Sequence, residues 1–130
     1  MTDLSLPKDI HTVVLGMGDL NGIMRGKRIP NSHWQDVCET GNACCLSLFT
    51  MDMTCDVWDT PLVNFENGFP DFHLMPATRP VPIPWEPGVA MCFGTGLGMD
   101  HKPVPVDPRQ ALVRQLSLIH ISEPTRQWQI

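Results

Sequence analysis

Residues Thr12 to Pro30 read TVVLGMGDLNGIMRGKRIP, and the fold of the chain follows from how this stretch is divided. Thr12 to Gly16 (TVVLG) is a short β-branched apolar run. Ile23 to Ile29 (IMRGKRI) alternates apolar with cationic side chains, as a half-exposed strand does. Between them Gly16, Gly18, Asp19, Asn21 and Gly22 supply residues that tolerate positive φ, so the two runs read as an antiparallel hairpin. Alternation along the second strand sets Arg25 and Lys27 on one face. With Arg28 they form a cationic cluster that suits either solvent or a carboxylate-lined neighbouring subunit.

Beyond the hairpin, Asn31 or Ser32 is positioned to cap a short helix running to about Glu39. Trp34, Val37 and Cys38 share one of its faces, and Gly41 stops it. Ala43 to Phe49 (ACCLSLF) reads as a buried strand, and Asp52 to Asp59 as an irregular acidic loop pinned by Trp58. From Pro76 to Pro87 the density of proline permits an edge or a wrapping loop but no central strand, because each proline removes a ladder donor. Gly88 to Phe93 (GVAMCF) is the next strand. Asp107-Pro108 followed by RQALVRQL is an N-cap, a first-turn proline and an amphipathic helix with Leu112 and Leu116 on its buried side. Gly16-Met17-Gly18 and Gly94-Thr95-Gly96-Leu97-Gly98 lack the spacing of nucleotide loops and read as hairpin turns. Trp34, Trp58 and Trp85 are assigned to core or interface packing.

At 130 residues the chain has room for one domain, and 42% hydrophobic residues suffice for a core. Nine Lys and Arg against fourteen Asp and Glu leave a net charge of −5, the wrong sign for a nucleic-acid partner. No apolar run approaches the roughly 18 residues of a membrane span, and the N-terminus has no secretory pattern, so a cytoplasmic location is expected. Five cysteines, two of them adjacent, make a poor disulfide framework and fit reduced thiols. Cys38, Cys44, Cys45 and Cys55 with His33 and His73 do not show zinc-site spacing, and neighbouring strand positions 44 and 45 face opposite ways. Asp52, Asp56 and Asp59 lack the turn glycine of a hard-cation loop.

Asp19 to Pro30 (DLNGIMRGKRIP), followed in order by GFPDFHLMPATRPVPIPWEPG from Gly68 and DPRQAL from Asp107, resembles the N-terminal domain of the glutamine synthetase family. The resemblance spans roughly Ile10 to Gln115. Trp85-Glu86-Pro87-Gly88 is similar to the branch that includes glutamate-polyamine and other glutamate-amine ligases. It implies an α+β, β-grasp-like domain: a small curved sheet with one crossing helix, plus a C-terminal helix cut off from a missing catalytic domain. The implied organisation is an N-terminal tail over 1–9, the β-grasp domain over 10–106 and the start of a linker helix over 107–115.

The resemblance further implies an ATP-dependent ligase that amidates the glutamate γ-carboxylate with ammonia or an amine. ATP and Mg or Mn belong to the full-length parent rather than to this chain, which is expected to be inactive alone. The implied partners are catalytic domains of its own and neighbouring subunits in a homo-oligomeric ring. Asp52 is the positional match for a catalytic aspartate that holds and deprotonates the attacking ammonium in a neighbouring subunit's site. The family sets that residue in Asp-Gly-Ser-Ser, and here Met53-Thr54-Cys55 follows it. Ala77 stands where related sequences place an aspartate, and no role is carried to it. Leu116 to Arg126 (LSLIHISEPTR) resembles a translated sequencing adapter, so 116–130 is expected to be an artefact tail. The competing reading is a stand-alone β-grasp interaction module.

Overall fold

The computed structural model describes residues 2–122. Its centre is β1 (Thr12–Gly18), whose Val13, Leu15 and Met17 are buried. The hairpin closes as expected: β2 (Met24–Pro30) runs antiparallel to β1, from Thr12 opposite Pro30 to Gly18 opposite Met24. Gly16 lies opposite Gly26, and there the backbone leaves no room. A Cβ on Gly26 would fall 2.1 Å from the Leu15 carbonyl oxygen and 2.6 Å from Gly16 Cα, whereas one on Gly18 meets nothing within 4 Å. Gly26→Ala is therefore expected to cost about 2 kcal/mol or more through forced backbone displacement. Gly18→Ala should stay within about 0.5 kcal/mol. Paired urea titrations of the two variants check this.

Helix α1 (Asn31–Thr40) buries Trp34 and Val37, as its spacing predicts. Its N-cap is Pro30 and carries no side-chain cap, correcting the assignment to Asn31 or Ser32. Asn31 is instead spent on the preceding chain, its amide donating to His11 O and its Nδ2 to Ile10 O. Gly41 ends the helix at φ 76, with its N–H on Val37 O. Trp34 Nε1 donates to Leu4 O at 2.8 Å, which straps the N-terminal residues across the helix.

The strand expected over Ala43 to Phe49 is shorter. β3 covers Asn42–Cys45, and Leu46–Phe49 form a 3-10 turn that swings Phe49 into the core, 5.0 Å from the Phe72 ring. β4 (Asp71–Pro76), whose period-two pattern is hidden between prolines, was not foreseen. The proline-rich run contributes only β5 (Val81–Pro82), a two-residue edge on β6. β6 (Val89–Gly98) extends well past Phe93. Its first half pairs parallel to β1 and its second half antiparallel to β4, so the strand order is β2-β1-β6-β4-β3. The glycines from Gly94 to Gly98, like Gly16-Met17-Gly18 in β1, are thus strand residues and not a hairpin turn. Side chains at Gly94 and Gly96 would collide with or crowd Leu74, Phe72 and Phe49, so their absence lets those residues lie on the curled sheet.

Asp107 is the start signal it promised to be: Oδ1 accepts from Arg109 N, heading α2 (Pro108–Ser122). Leu112 and Leu116, assigned to the buried side of this helix, are exposed. Side chains from 111 to 119 of this helix are exposed, so helical spacing marked an apolar face that the body of the domain does not bury at Leu112 and Leu116. The described helix runs through the junction at Gln115, and residues 123–130 of the suspected artefact tail lie outside the described residues.

Candidate functional site

Two turns from distant parts of the chain meet at one end of the sheet. In the β1–β2 turn the buried Asp19 carboxylate accepts hydrogen bonds from Asn21 N (2.9 Å) and Ile23 N (2.8 Å) on Oδ1. Its Oδ2 accepts from Arg25 Nε at 3.0 Å. Burial pushes this carboxyl up, but the hydrogen bonds from Ile23, Arg25 and Asn21 outweigh it and leave the pKa below the ordinary value. A carboxyl depressed on folding stabilises the protein above its unfolded pKa and loses that contribution as pH falls through the folded value. Acid unfolding below about pH 4 should therefore be less steep in Asp19→Asn, measured by circular dichroism across a pH series.

So held, the turn reaches the acidic loop. Asn21 Nδ2 donates to Met51 O at 3.0 Å, and Arg25 Nη1 lies 3.6 Å from Cys55 Sγ. Within the loop, Met51 and Val57 form an antiparallel bridge, and Asp52 N donates to Asp56 O. Asp52 Oδ1 accepts from Thr54 N (2.8 Å), Thr54 Oγ1 (2.8 Å) and Asp56 N (3.0 Å). The loop closes without the glycine of the resembled Asp-Gly-Ser-Ser setting, because Cys55 itself takes a positive φ of 69. The Thr54 hydroxyl foremost, then the Asp56 and Thr54 amides and the Trp58 side chain, hold the Asp52 pKa down against a smaller opposing effect of burial. Asp52 is a half-exposed carboxylate kept ionised on a braced loop.

Trp58 does not pin this loop by burial, since 65% of it is exposed; Trp85 is likewise exposed, and only Trp34 of the three is core. Beyond Trp58 the chain folds on Val63, which is fully buried, and on reciprocal hydrogen bonds between Asn64 and Asn67. Phe65 and Phe69 pack edge to face at 5.0 Å. Val57, Trp58, Asp59, Val63, Asn64, Phe65 and Phe69 line an apolar cleft of about 260 Å3 beside the acidic loop. Sequence reasoning passed over this cleft, and the signal available was the i, i+4 pair of phenylalanines in a run of asparagine and glycine.

The cationic cluster is occupied within the chain. Arg25 is taken by Asp19, Lys27 Nζ donates to Ala43 O at 2.7 Å, and Arg28 forms a solvent-exposed ion pair with Glu86. The five cysteines are free, and burial raises the thiol pKa of Cys38, Cys44 and Cys92. Among the described residues no group of three or more His, Cys, Asp or Glu is arranged to hold a metal ion. None of the described helices is long and apolar enough to cross a membrane.

No family model matches the chain. The γ-glutamylethanolamide synthetase GlnA4 of Streptomyces coelicolor is 36% identical to it over 112 residues, covering 83% of this chain and 24% of that protein. Type-1 glutamine synthetase 2 of Dictyostelium discoideum is 26% identical over 122 residues, covering 92% and 23%. The chain thus spans about a quarter of the length of the curated relatives it matches. A solved glutamine synthase homolog superposes with a TM-score of 0.73 at 20% identity, over 94% of this chain and 29% of that one. A GmaS–ADP complex gives 0.67 at 23% identity, over 87% and 24%. At such identities the structural likeness speaks for the fold, and the sequence relatives speak for descent. The chain belongs to the glutamine synthetase family, with the curled sheet and two helices of that family's N-terminal domain.

Proposed function

We propose that this chain is the N-terminal β-grasp part, residues 10–106, of an ATP-dependent ligase that joins the glutamate γ-carboxylate to ammonia or an amine. Residues 107–115 begin the link to a larger catalytic domain that carries ATP and Mg or Mn, and residues 116–130 are adapter-derived. The observation that carries this reading is Asp52: an ionised carboxylate, accessible, and braced by a second turn. An amine near neutral pH is a cation, and it must lose a proton before its lone pair can attack an acyl group. A fixed carboxylate concentrates that cation and orients it, and can take the proton as the new C–N bond forms. Because Asp52 has a lowered pKa, holding the ammonium is its stronger contribution and accepting a proton the weaker one.

In this reading Asp52 acts in the site of a neighbouring subunit in a ring. The exposed apolar face of α2, with Leu112, Val113 and Leu116, supports a covering surface elsewhere in the protein. Free thiols support a cytoplasmic setting.

The test begins with an adapter-trimmed long read through the codons for Gln115 to Ile130, followed by expression of the encoded product. That product is expected to release ADP only when both glutamate and an amine are present, and the 130-residue chain to release none. Glutamate-dependent ADP release by the chain alone, or a genomic stop codon after Ile130, would overturn the reading.

A further inference from the structure

Two Asn-Gly pairs occur in the chain, Asn21-Gly22 in the β1–β2 turn and Asn67-Gly68 in the turn beside the apolar cleft. Both glycines hold a positive φ, 76 and 71, and all four residues are exposed. Asparagine is a thermolabile residue, and such a pair carries its own nucleophile and electrophile. With no side chain on the glycine, its backbone nitrogen can reach the carbonyl carbon of the asparagine side chain. Sequence and solvent access are alike at the two places, so the hydrogen bonds around each pair decide which one reacts.

At Asn21-Gly22 the nucleophile is occupied. Gly22 N donates to Asp19 O at 3.1 Å. The Asp19 carboxylate accepts from Asn21 N and Ile23 N, on either side of that amide, and so opposes charge on a nitrogen that is losing its proton. Asn21 Nδ2 is tied to Met51 O, and Asn21 Oδ1 accepts nothing among the described residues. Asn67-Gly68 is arranged the other way. Gly68 N donates to no partner among the described residues. Asn67 Oδ1 accepts from Asn64 N at 3.0 Å, a donor placed where negative charge gathers when the side-chain carbonyl is attacked. Asn67 N is held on Asn64 Oδ1 at 2.8 Å, and the 3.0 Å bond from Nδ2 to Leu62 O is the one that must break.

We propose that Asn67-Gly68 is a site of spontaneous covalent modification, at which the folded turn directs closure to a cyclic imide and then to aspartate or isoaspartate. Gly68 N gives its proton to hydroxide and bonds to Asn67 Cγ. The Cγ–Nδ2 bond breaks, and Nδ2 leaves as ammonia with a proton from water. The imide then takes up one water at either carbonyl. Neither product fits the turn. Aspartate sets a carboxylate oxygen against Leu62 O, where Nδ2 had donated. Isoaspartate adds a carbon to the main chain inside the turn that Phe69 N closes on Asn64 O. Modification therefore loosens the edge-to-face packing of Phe65 on Phe69 at the cleft, and adds one negative charge to the net −5.

The experiment ages the 130-residue chain at mildly alkaline pH, with and without urea. Each asparagine is followed by proteolytic peptide mapping with mass spectrometry, and isoaspartate by enzymatic methylation. In the folded chain Asn67 is expected to convert about tenfold or more faster than Asn21, because the second pair must open more hydrogen bonds before it can close. Both aspartate and isoaspartate should appear at 67. In urea the two pairs should convert at equal rates, since only the fold distinguishes them. Asn67→Asp, made directly, should keep the far-ultraviolet circular dichroism of the parent and shift the ring NMR signals of Phe65 and Phe69.

Conversion at Asn21 as fast as at Asn67 in the folded chain would overturn the assignment. So would an Asn67 that persists when folded for as long as urea takes to convert it fully. Aspartate as the sole product would exclude closure by Gly68 N. Unchanged Phe65 and Phe69 signals in Asn67→Asp would overturn the loosening of the turn.

Discussion

Asp107→Ala is expected to lower the unfolding free energy by roughly 3 kcal/mol and the melting temperature by about 10 °C. The residue is 1% exposed, and its carboxylate joins two elements. Oδ1 accepts from Arg109 N at 2.8 Å, capping α2, while Oδ2 accepts from Gly96 N at 2.8 Å and Thr95 Oγ1 at 3.1 Å in β6. Removing it strands the Gly96 amide inside the sheet, where an unpaired donor costs about 1–3 kcal/mol, and removes a cap of about 1 kcal/mol. Asp107→Ser separates the two contributions, because a serine hydroxyl still caps the helix but does not reach the strand. It should recover about 1 kcal/mol of the loss. Urea denaturation of the three proteins decides the matter, and a loss below about 1 kcal/mol in the alanine variant would show that the strand arm carries no weight.

Asp52→Asn, made in the proposed full-length ligase, is expected to reduce kcat/KM for the amine by about 100-fold or more, as loss of a positioned acid-base or charge-holding group does. The KM values for ATP and glutamate should move little, since the proposed contact is with the nitrogen donor. Asparagine is the informative substitution because it keeps an oxygen to accept from Thr54 and Asp56. The loop retains its shape and only the charge is withdrawn. An unchanged kcat/KM for the amine, with the loop intact by amide NMR shifts, would remove Asp52 from the site.

The readings that held were those in which cause and consequence are near neighbours in the chain. The β1–β2 hairpin was legible because alternation and turn residues are contiguous from Thr12 to Pro30, and the stop at Gly41 because a positive φ is a property of one residue. Where the reading failed, a distant partner decided. Leu46 to Phe49 has the composition of a strand, but the 3-10 turn it adopts is what brings Phe49 onto Phe72. The glycines of β6 look like punctuation until Leu74 and Phe72 are seen lying across them. Leu112 and Leu116 repeat at helical spacing, and spacing encodes a face without encoding what covers it.

The site divides in the same way. Asp52 was reached through resemblance to a family pattern, in a loop whose following residues differ from that pattern. Its three accepted hydrogen bonds and the positive φ of Cys55 were not readable from Met53-Thr54-Cys55. Nor was Asp19, which looked like one more turn residue and is the buried carboxylate that aims Arg25 and Asn21 at the acidic loop.

By itself the sequence determined the β1–β2 hairpin, the two helices and the family, because periodicity, turn chemistry and a run of matching motifs are all carried within short windows of chain. Only the tertiary structure decided that β6 would pair with β1 over its first half and β4 over its second, that the β1–β2 turn would brace Met51 and Cys55, and that Trp58 and Phe65 would remain exposed. Each of these depends on which surfaces meet across long sequence separations. A side-chain pattern states that a face is apolar or charged, and the packed fold alone selects its partner.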